Sequence, residues 1–174
     1  MQEAEYPKVN YSTEGGGIVA RRGMGYQDYV AAKFIVEMLS DDLLLGVRFE
    51  VDDDIDLLWK CSEGDLLIEF VQVKSTDGNT KWTIDELLEK TAKNKDNSIY
   101  GKSLQCDQYE GIKSKFKFVL MRDIKNNGHV KLLKLSQQAR INHKDYHALC
   151  KRIDRDTKSL KSPKGNDSKY WCDN

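Results

Sequence analysis

Long apolar runs, net charge and paired cysteines are all missing from this sequence. No stretch approaches the roughly 18 apolar residues that a membrane-spanning helix needs. The first residues are acidic and polar, without the basic-then-apolar order of a secretory signal. The four cysteines occur singly and form no C-x-x-C pair, which favours free thiols in a reducing compartment. We therefore expect a cytoplasmic protein that does not associate with membranes.

The segment "GGGIVARRGMG", residues 15–25, is rich in glycine but is not typical of a phosphate-binding loop. No Gly-Lys-Ser/Thr follows at the spacing of a Walker A loop, and no clear strand precedes it. Its paired Arg21 and Arg22 either contact the phosphates of a nucleic acid or simply cap a loop.

The net charge of zero hides a division between the two halves of the chain. Residues 1–90 hold 9 Lys/Arg and 19 Asp/Glu, and residues 91–174 hold 19 and 9. A basic half is a recognised sign of nucleic-acid contact, and Lys115 and Lys117 are candidates for it. The alternative is that these charges lie on solvated faces that interleave in space.

At 174 residues and 20.0 kDa, the chain predicts one domain over residues 15–174 after a flexible lead at 1–14. Apolar periodicity predicts a helix from Tyr26 to about Ser40–Asp42, and up to three strands within 46–75. A capping box of Thr83 with Glu86 starts another helix. A short helix fits within 95–112, a strand covers 115–123, and 129–135 is its hairpin partner. A final helix covers 136–153 and a polar tail follows. The order indicates a mixed α/β domain with a helix-covered sheet.

The stretch "LLIEFVQVKST", residues 66–76, has the composition of a buried strand but contains Gln72 and Lys74. Residues two apart in a strand point to the same face. An amine buried there without a partner is costly, so a group outside this strand should pair with it. The alternative is that the strand ends in solvent and Lys74 extends into water.

The preceding segment "EVDDDIDLL", residues 50–58, offers that partner. Asp54 and Asp56 can share a face, and an antiparallel hairpin of 55–60 with 67–74 would bring both beside Gln72 and Lys74. Neighbouring carboxylates repel one another, which favours a bound cation. An acidic turn without function is the alternative.

This arrangement resembles the PD-(D/E)XK restriction-endonuclease-like superfamily, with Asp56 followed by Gln72-Val73-Lys74. The resemblance implies a restriction-endonuclease-like mixed β-sheet flanked by α-helices, and a nuclease whose catalytic residues are Asp56, Gln72 and Lys74. The lysine would lie near the attacking water and the scissile phosphate.

The resemblance also implies Mg²⁺ or Mn²⁺, held by Asp56 and Gln72, because hard cations prefer oxygen ligands. Glutamine replaces the usual Glu or Asp and brings no charge, so a further carboxylate is expected. Asp54 and Glu50 are the candidates for it, with Glu37 of the first helix as another.

Residues 15–125 are similar, more narrowly, to the dsDNA endonuclease domain of anti-phage effectors, through the glycine-rich segment, Tyr26-Gln27 and Gln72-Val73-Lys74. This likeness implies that Gln27 approaches the site and that the substrate is double-stranded DNA, cut with little sequence preference. It also implies that the nuclease activity is restrained until a homo-oligomer forms or a sensor or ATPase partner acts. The alternatives are a non-catalytic nucleic-acid-binding or assembly module and a nuclease for RNA or single strands. The chain would be a lone unit, a subunit or a fragment of a longer effector.

Overall fold

The computed structural model describes residues 16–61, 64–75, 80–90, 97–126 and 128–174, with side chains from residue 23 onward. The predicted flexible lead at 1–14 lies outside these residues. The helices and strands are α1 (Gly16–Met38), β1 (Leu44–Phe49), β2 (Ile55–Lys60), β3 (Leu66–Lys74), α2 (Ile84–Leu88), α3 (Ile99–Gln105), β4 (Lys113–Leu120), a 3₁₀ helix (His129–Lys134), α4 (Gln137–Ile141), α5 (Tyr146–Asp156) and α6 (Ser168–Asp173). None of the helices in these ranges combines the length and apolarity that crossing a bilayer requires.

The four strands form one sheet in the order β1-β2-β3-β4. β1, β2 and β3 form an antiparallel meander, and β4 runs parallel to β3. A parallel neighbour needs a long crossover connection, and the segment containing α2 and α3 provides it. The mixed sheet flanked by helices confirms the predicted α/β class.

Each face of the sheet packs against a different set of helices. Alternating residues of β2 and β3 contact one side of α1, in a cluster that contains Val30, Phe34, Ile55, Leu57, Val71 and Val73. On the other face, Ile68 and Phe70 pack with Cys106 just after α3. A central strand covered on both faces buries successive side chains on opposite sides of the sheet. The sequence of β3 is therefore a nearly continuous apolar run.

Helix α1 begins at Gly16 rather than near Tyr26 as predicted, so most of the glycine-rich segment is helical. A Cβ on Gly23 would lie 3.2 Å from Ser75 Oγ, just after β3. The absence of a side chain at residue 23 therefore lets α1 approach this end of β3 closely. The sequence pattern was misleading because glycine lowers helix propensity, whereas here it serves packing.

The predicted hairpin partner at 129–135 is wrong, because residues 129–134 form a 3₁₀ helix and β4 pairs with β3. Val130 and Leu133 pack together against Trp82, whereas Leu132 lies in a separate cluster with Leu149. Residues three apart lie on one side of a 3₁₀ helix. Burial of Val130 and Leu133 on that side therefore decides the local conformation.

The predicted final helix is two helices, α4 and α5, and the predicted polar tail contains α6. The Asp167 carboxylate caps α6 by accepting the backbone N–H of Lys169 and Tyr170. Trp171 then packs edge-on against Tyr100, with ring centroids 5.0 Å apart. The helix forms because this tryptophan is buried, which the surrounding polar composition conceals.

The capping box predicted at Thr83 is confirmed. Glu86 N–H donates to Thr83 Oγ1 at 3.3 Å, and Thr83 N–H donates to Glu86 Oε2 at 2.8 Å. The predicted short helix within 95–112 is confirmed as α3.

Candidate active site

The register of β2 with β3 places the acidic segment beside Gln72 and Lys74. Ile55 pairs with Val71 and Asp56 with Phe70, so residues 52–54 lie next to the carboxyl end of β3. The predicted hairpin is therefore confirmed. The two segments line a cleft of about 490 Å³, which we call the acidic cleft. Its polar lining residues are Glu50, Asp52, Asp53, Asp54, Gln72, Lys102, Gln105 and Gln108.

The loop between β1 and β2 is a tight turn rather than a continuation of either strand. Glu50 N–H donates to Asp54 O at 3.2 Å, and Glu50 has a left-handed backbone with φ of 49°. Such a conformation is costly for a residue with a side chain, and it concentrates at functional sites. Gln27 Nε2 of α1 lies 3.4 Å from both Glu50 Oε1 and Asp54 O. Gln27 thus reaches the site, as expected, while its contact with nucleic acid stays a prediction.

Asp56 holds this loop in place. Its side chain is only 1% exposed. Asp56 Oδ2 accepts from Arg48 Nη2 at 3.1 Å and from Asp52 N–H at 3.4 Å, and Oδ1 accepts from Asp53 N–H at 3.2 Å. Burial raises the pKa of Asp56, against the opposing effects of these backbone donors and of Arg48. Both oxygens are therefore already engaged by the chain itself.

Asp52 anchors the loop to the region after α3. Gln108 Nε2 donates to Asp52 Oδ1 at 2.7 Å, and the Tyr109 hydroxyl donates to Oδ2. Arg48 Nη2 lies 3.3 Å from the same Oδ2. Asp52 and Asp56 thus share one guanidinium and fix the loop from two sides.

Asp53 and Gln72 present the open acceptors. Asp54 Oδ2 accepts Val73 N–H at 2.7 Å, and Asp53 Oδ1 accepts Asp54 N–H at 2.9 Å. Asp53 Oδ2 and Gln72 Oε1, in contrast, are buried without any hydrogen-bond partner within the described part of the chain. Buried acceptors are rarely left unpaired, so these two oxygens are where we expect an external donor or cation to bind.

The electrostatics of Asp53 agree with that interpretation. Burial and the neighbouring Asp54 charge raise the pKa of Asp53 to about 6, although the Asp54 N–H and the Lys74 charge act in the opposite direction. Lys74 is half-buried, and its side-chain ammonium has no hydrogen bond or ion pair with any residue the structure describes. A bound cation would relieve the cost of the buried carboxylate.

The residues present fit a hard divalent cation. No group of three or more His, Cys, Asp or Glu side chains within the described ranges is arranged as a metal site. Asp53 Oδ2 and Gln72 Oε1, with Asp54 beside them, nevertheless form the oxygen set that Mg²⁺ accepts when water completes its coordination. Asp53 was missed as a site residue because strict alternation assigns it to the opposite face, whereas the loop turns it into the cleft.

The predicted basic contacts with nucleic acid lie away from this cleft or beyond the described side chains. Lys115 Nζ and Lys117 Nζ lie 3.2 Å from the two oxygens of Glu69, which is 2% exposed. Their charge is therefore largely balanced within the fold. The side chains of Arg21 and Arg22 lie outside the described residues. A role in nucleic-acid binding stays a prediction for all four basic residues.

Comparison with known proteins gives the family. Residues 15–172 match the family described as Cap4, dsDNA endonuclease domain. Anti-bacteriophage protein A of Escherichia coli (strain K12) is 33% identical over 167 residues, which cover 93% of this chain and 30% of that protein. This chain thus spans less than a third of the length of that curated relative. No solved structure is significantly similar. The chain belongs to the Cap4 dsDNA endonuclease domain family.

Proposed function

We propose that the chain is a Mg²⁺-dependent endonuclease that cleaves double-stranded DNA with little sequence preference. The observation that carries the proposal is a pair of buried acceptors, Asp53 Oδ2 and Gln72 Oε1, that have no partner among the described residues. The Lys74 ammonium, likewise without a partner there, lies close to them. Membership in a family of dsDNA endonuclease domains supports the substrate.

In this proposal, Asp53 and Gln72 hold the cation and Asp54 supports them. The bound cation would supply Lewis-acid stabilisation of the charge that develops on the phosphate. Lys74 is the group of the chain that orients the attacking water and balances the charge of the phosphate. Asp56 was predicted as a catalytic ligand and stays a candidate. Its hydrogen bonds support a different role, which is to position the backbone of Asp53.

We further propose that the chain serves in defence against bacteriophages, since the curated relative is called an anti-bacteriophage protein. A nuclease without sequence preference would damage its own cell. We therefore expect restraint until copies of the chain assemble or a sensor or ATPase partner acts. The restraint would be exercised by parts of a longer protein or by a partner chain.

Removal of the metal tests the reaction. We expect supercoiled plasmid to be nicked and linearised with Mg²⁺ or Mn²⁺, and to stay intact when EDTA is in excess. Structured RNA and single-stranded DNA, incubated in parallel, should be cut more slowly. Full cleavage in EDTA would refute the metal-dependent reaction. Binding to duplex DNA without cleavage, at concentrations that permit self-association, would favour a non-catalytic module.

A further inference from the structure

A second cavity of about 360 Å³ adjoins the acidic cleft, and Gln72 and Lys102 line both. We call it the basic chamber, because Lys74, Lys102 and Arg122 contribute to its wall. Aspartate and glutamate side chains dominate the acidic cleft, so the sign of the lining charge changes across Gln72. Such a change of charge suits a nucleic-acid strand whose backbone phosphates pass a cation site and continue along a basic surface.

The cations of the basic chamber differ in how far they are neutralised. Arg122 Nη2 lies 3.2 Å from Glu86 Oε1, which balances its charge. Glu89 is the second carboxylate in the lining and is exposed to solvent. The side-chain ammonium groups of Lys74 and Lys102 have no hydrogen bond or ion pair with the residues that the structure describes. The chamber thus has more available positive charge than its own carboxylates offset.

One residue of the chamber wall, Trp82, carries a buried hydrogen-bond donor that no described residue accepts. Trp82 is 6% exposed, and its indole N–H has no partner in the described part of the chain. The Arg122 guanidinium lies over the ring, 4.5 Å from its centroid. Leaving a buried donor unpaired is costly, so an acceptor supplied by a ligand would be favourable here.

We propose that the basic chamber binds a backbone phosphate of the substrate strand adjacent to the scissile one, and that Lys102 of α3 supplies its principal cation. The inference rests on the proposed function and extends it to a second contact. Lys74 serves the reacting phosphate at the edge of the acidic cleft. Lys102 lines both cavities and is exposed, so its ammonium can reach a phosphate without losing an internal partner. The Trp82 N–H adds a neutral donor to the same anion.

The test is binding of a fluorescein-labelled duplex of mixed sequence, measured by anisotropy in EDTA at several NaCl concentrations. Lys102→Ala is expected to lower the slope of log affinity against log salt by about 1, as loss of one phosphate contact predicts. Lys102→Arg should keep the wild-type slope, since charge is the property required. Trp82→Phe retains an aromatic ring, and it should weaken binding about tenfold with the slope unchanged.

Lys60→Ala is the matched control, because Lys60 is exposed and pairs with Leu66 at the far end of the sheet. It should leave affinity and slope at the wild-type values. If wild type binds and Lys102→Ala behaves like Lys60→Ala, the role of Lys102 is refuted while the proposed function stands. If Trp82→Phe binds with unchanged affinity and has an unchanged melting temperature, the proposed contact of the Trp82 indole with the phosphate is refuted. Failure of wild type to bind duplex DNA would refute the proposed function itself.

Discussion

Asp53→Asn is expected to reduce plasmid cleavage about 100- to 1000-fold while leaving the fold at least as stable as the wild type. The variant keeps the size of the side chain but removes the charge that a cation would balance. Burial raises the pKa of Asp53, which means that the fold disfavours the ionised carboxylate. Removing this negative charge at neutral pH therefore costs no stability. Mg²⁺ should raise the melting temperature of wild type, as a ligand bound to the native state does, and should not raise that of Asp53→Asn.

Asp56→Asn is the contrasting variant. An amide there would leave Arg48 without its buried carboxylate and would turn a donor toward the N–H groups of Asp52 or Asp53. We expect a loss of about 2–3 kcal/mol in the free energy of unfolding, with part of the Mg²⁺-induced stabilisation retained. The opposite pattern would assign the cation to Asp56, as the sequence first suggested. In that pattern Asp56→Asn would be as stable as wild type but Mg²⁺ would not raise its melting temperature, and Asp53→Asn would still cleave plasmid.

Asp107→Asn is expected to destabilise the protein by about 3–5 kcal/mol, because it breaks a buried charged network. Asp107 is fully buried. Its carboxylate accepts from Ser114 Oγ, Ser162 Oγ and Asn166 Nδ2, each at 2.7 Å, and lies 2.7 Å from Lys164 Nζ. The network ties the segment before α6 to the connection between α3 and β4. Chemical denaturation monitored by circular dichroism measures the loss.

The same network predicts a pH dependence with a definite sign. Burial acts to raise the pKa of Asp107, but Lys164 and the other donors outweigh it, so the pKa is lowered. Its contribution is therefore fully present above the ordinary carboxyl pKa of about 4 and is lost as pH falls through the lower native value. The difference in stability between wild type and Asp107→Asn should shrink over that acidic range.

Asp65→Asn is the matched control for this prediction, since Asp65 pairs only with the exposed Lys113 Nζ, at 3.1 Å, among the ion pairs of the described residues. Exposed pairs contribute about 0–1 kcal/mol, so its effect should be small. An Asp107→Asn variant as stable as Asp65→Asn would contradict the assigned role of the network.

Sequence patterns predicted the elements whose signals are local. Short apolar runs predicted β2 and β3, and the Thr83–Glu86 capping box predicted the start of α2. The antiparallel pairing of residues 55–60 with 67–74 followed from joining two adjacent strands by a short turn. The same local reasoning failed at residues 129–134, where burial of Val130 and Leu132 in separate clusters overrides an apparent strand pattern. It failed again at α6, which depends on a tryptophan buried against distant residues.

By itself, the sequence determined that acidic side chains, a glutamine and a lysine meet at one end of a two-strand hairpin, because strand periodicity and chain connectivity are local properties. Only the tertiary structure distinguished the four neighbouring aspartates from one another. Asp52 and Asp56 accept hydrogen bonds from Arg48, Gln108, Tyr109 and backbone donors, and Asp54 accepts the Val73 N–H. Asp53, in contrast, has a buried oxygen without a partner in the described part of the chain. The side-chain donors and the Val73 N–H come from β1, β3 and the segment after α3, and no residue pattern within 50–58 encodes which carboxylate each of them reaches.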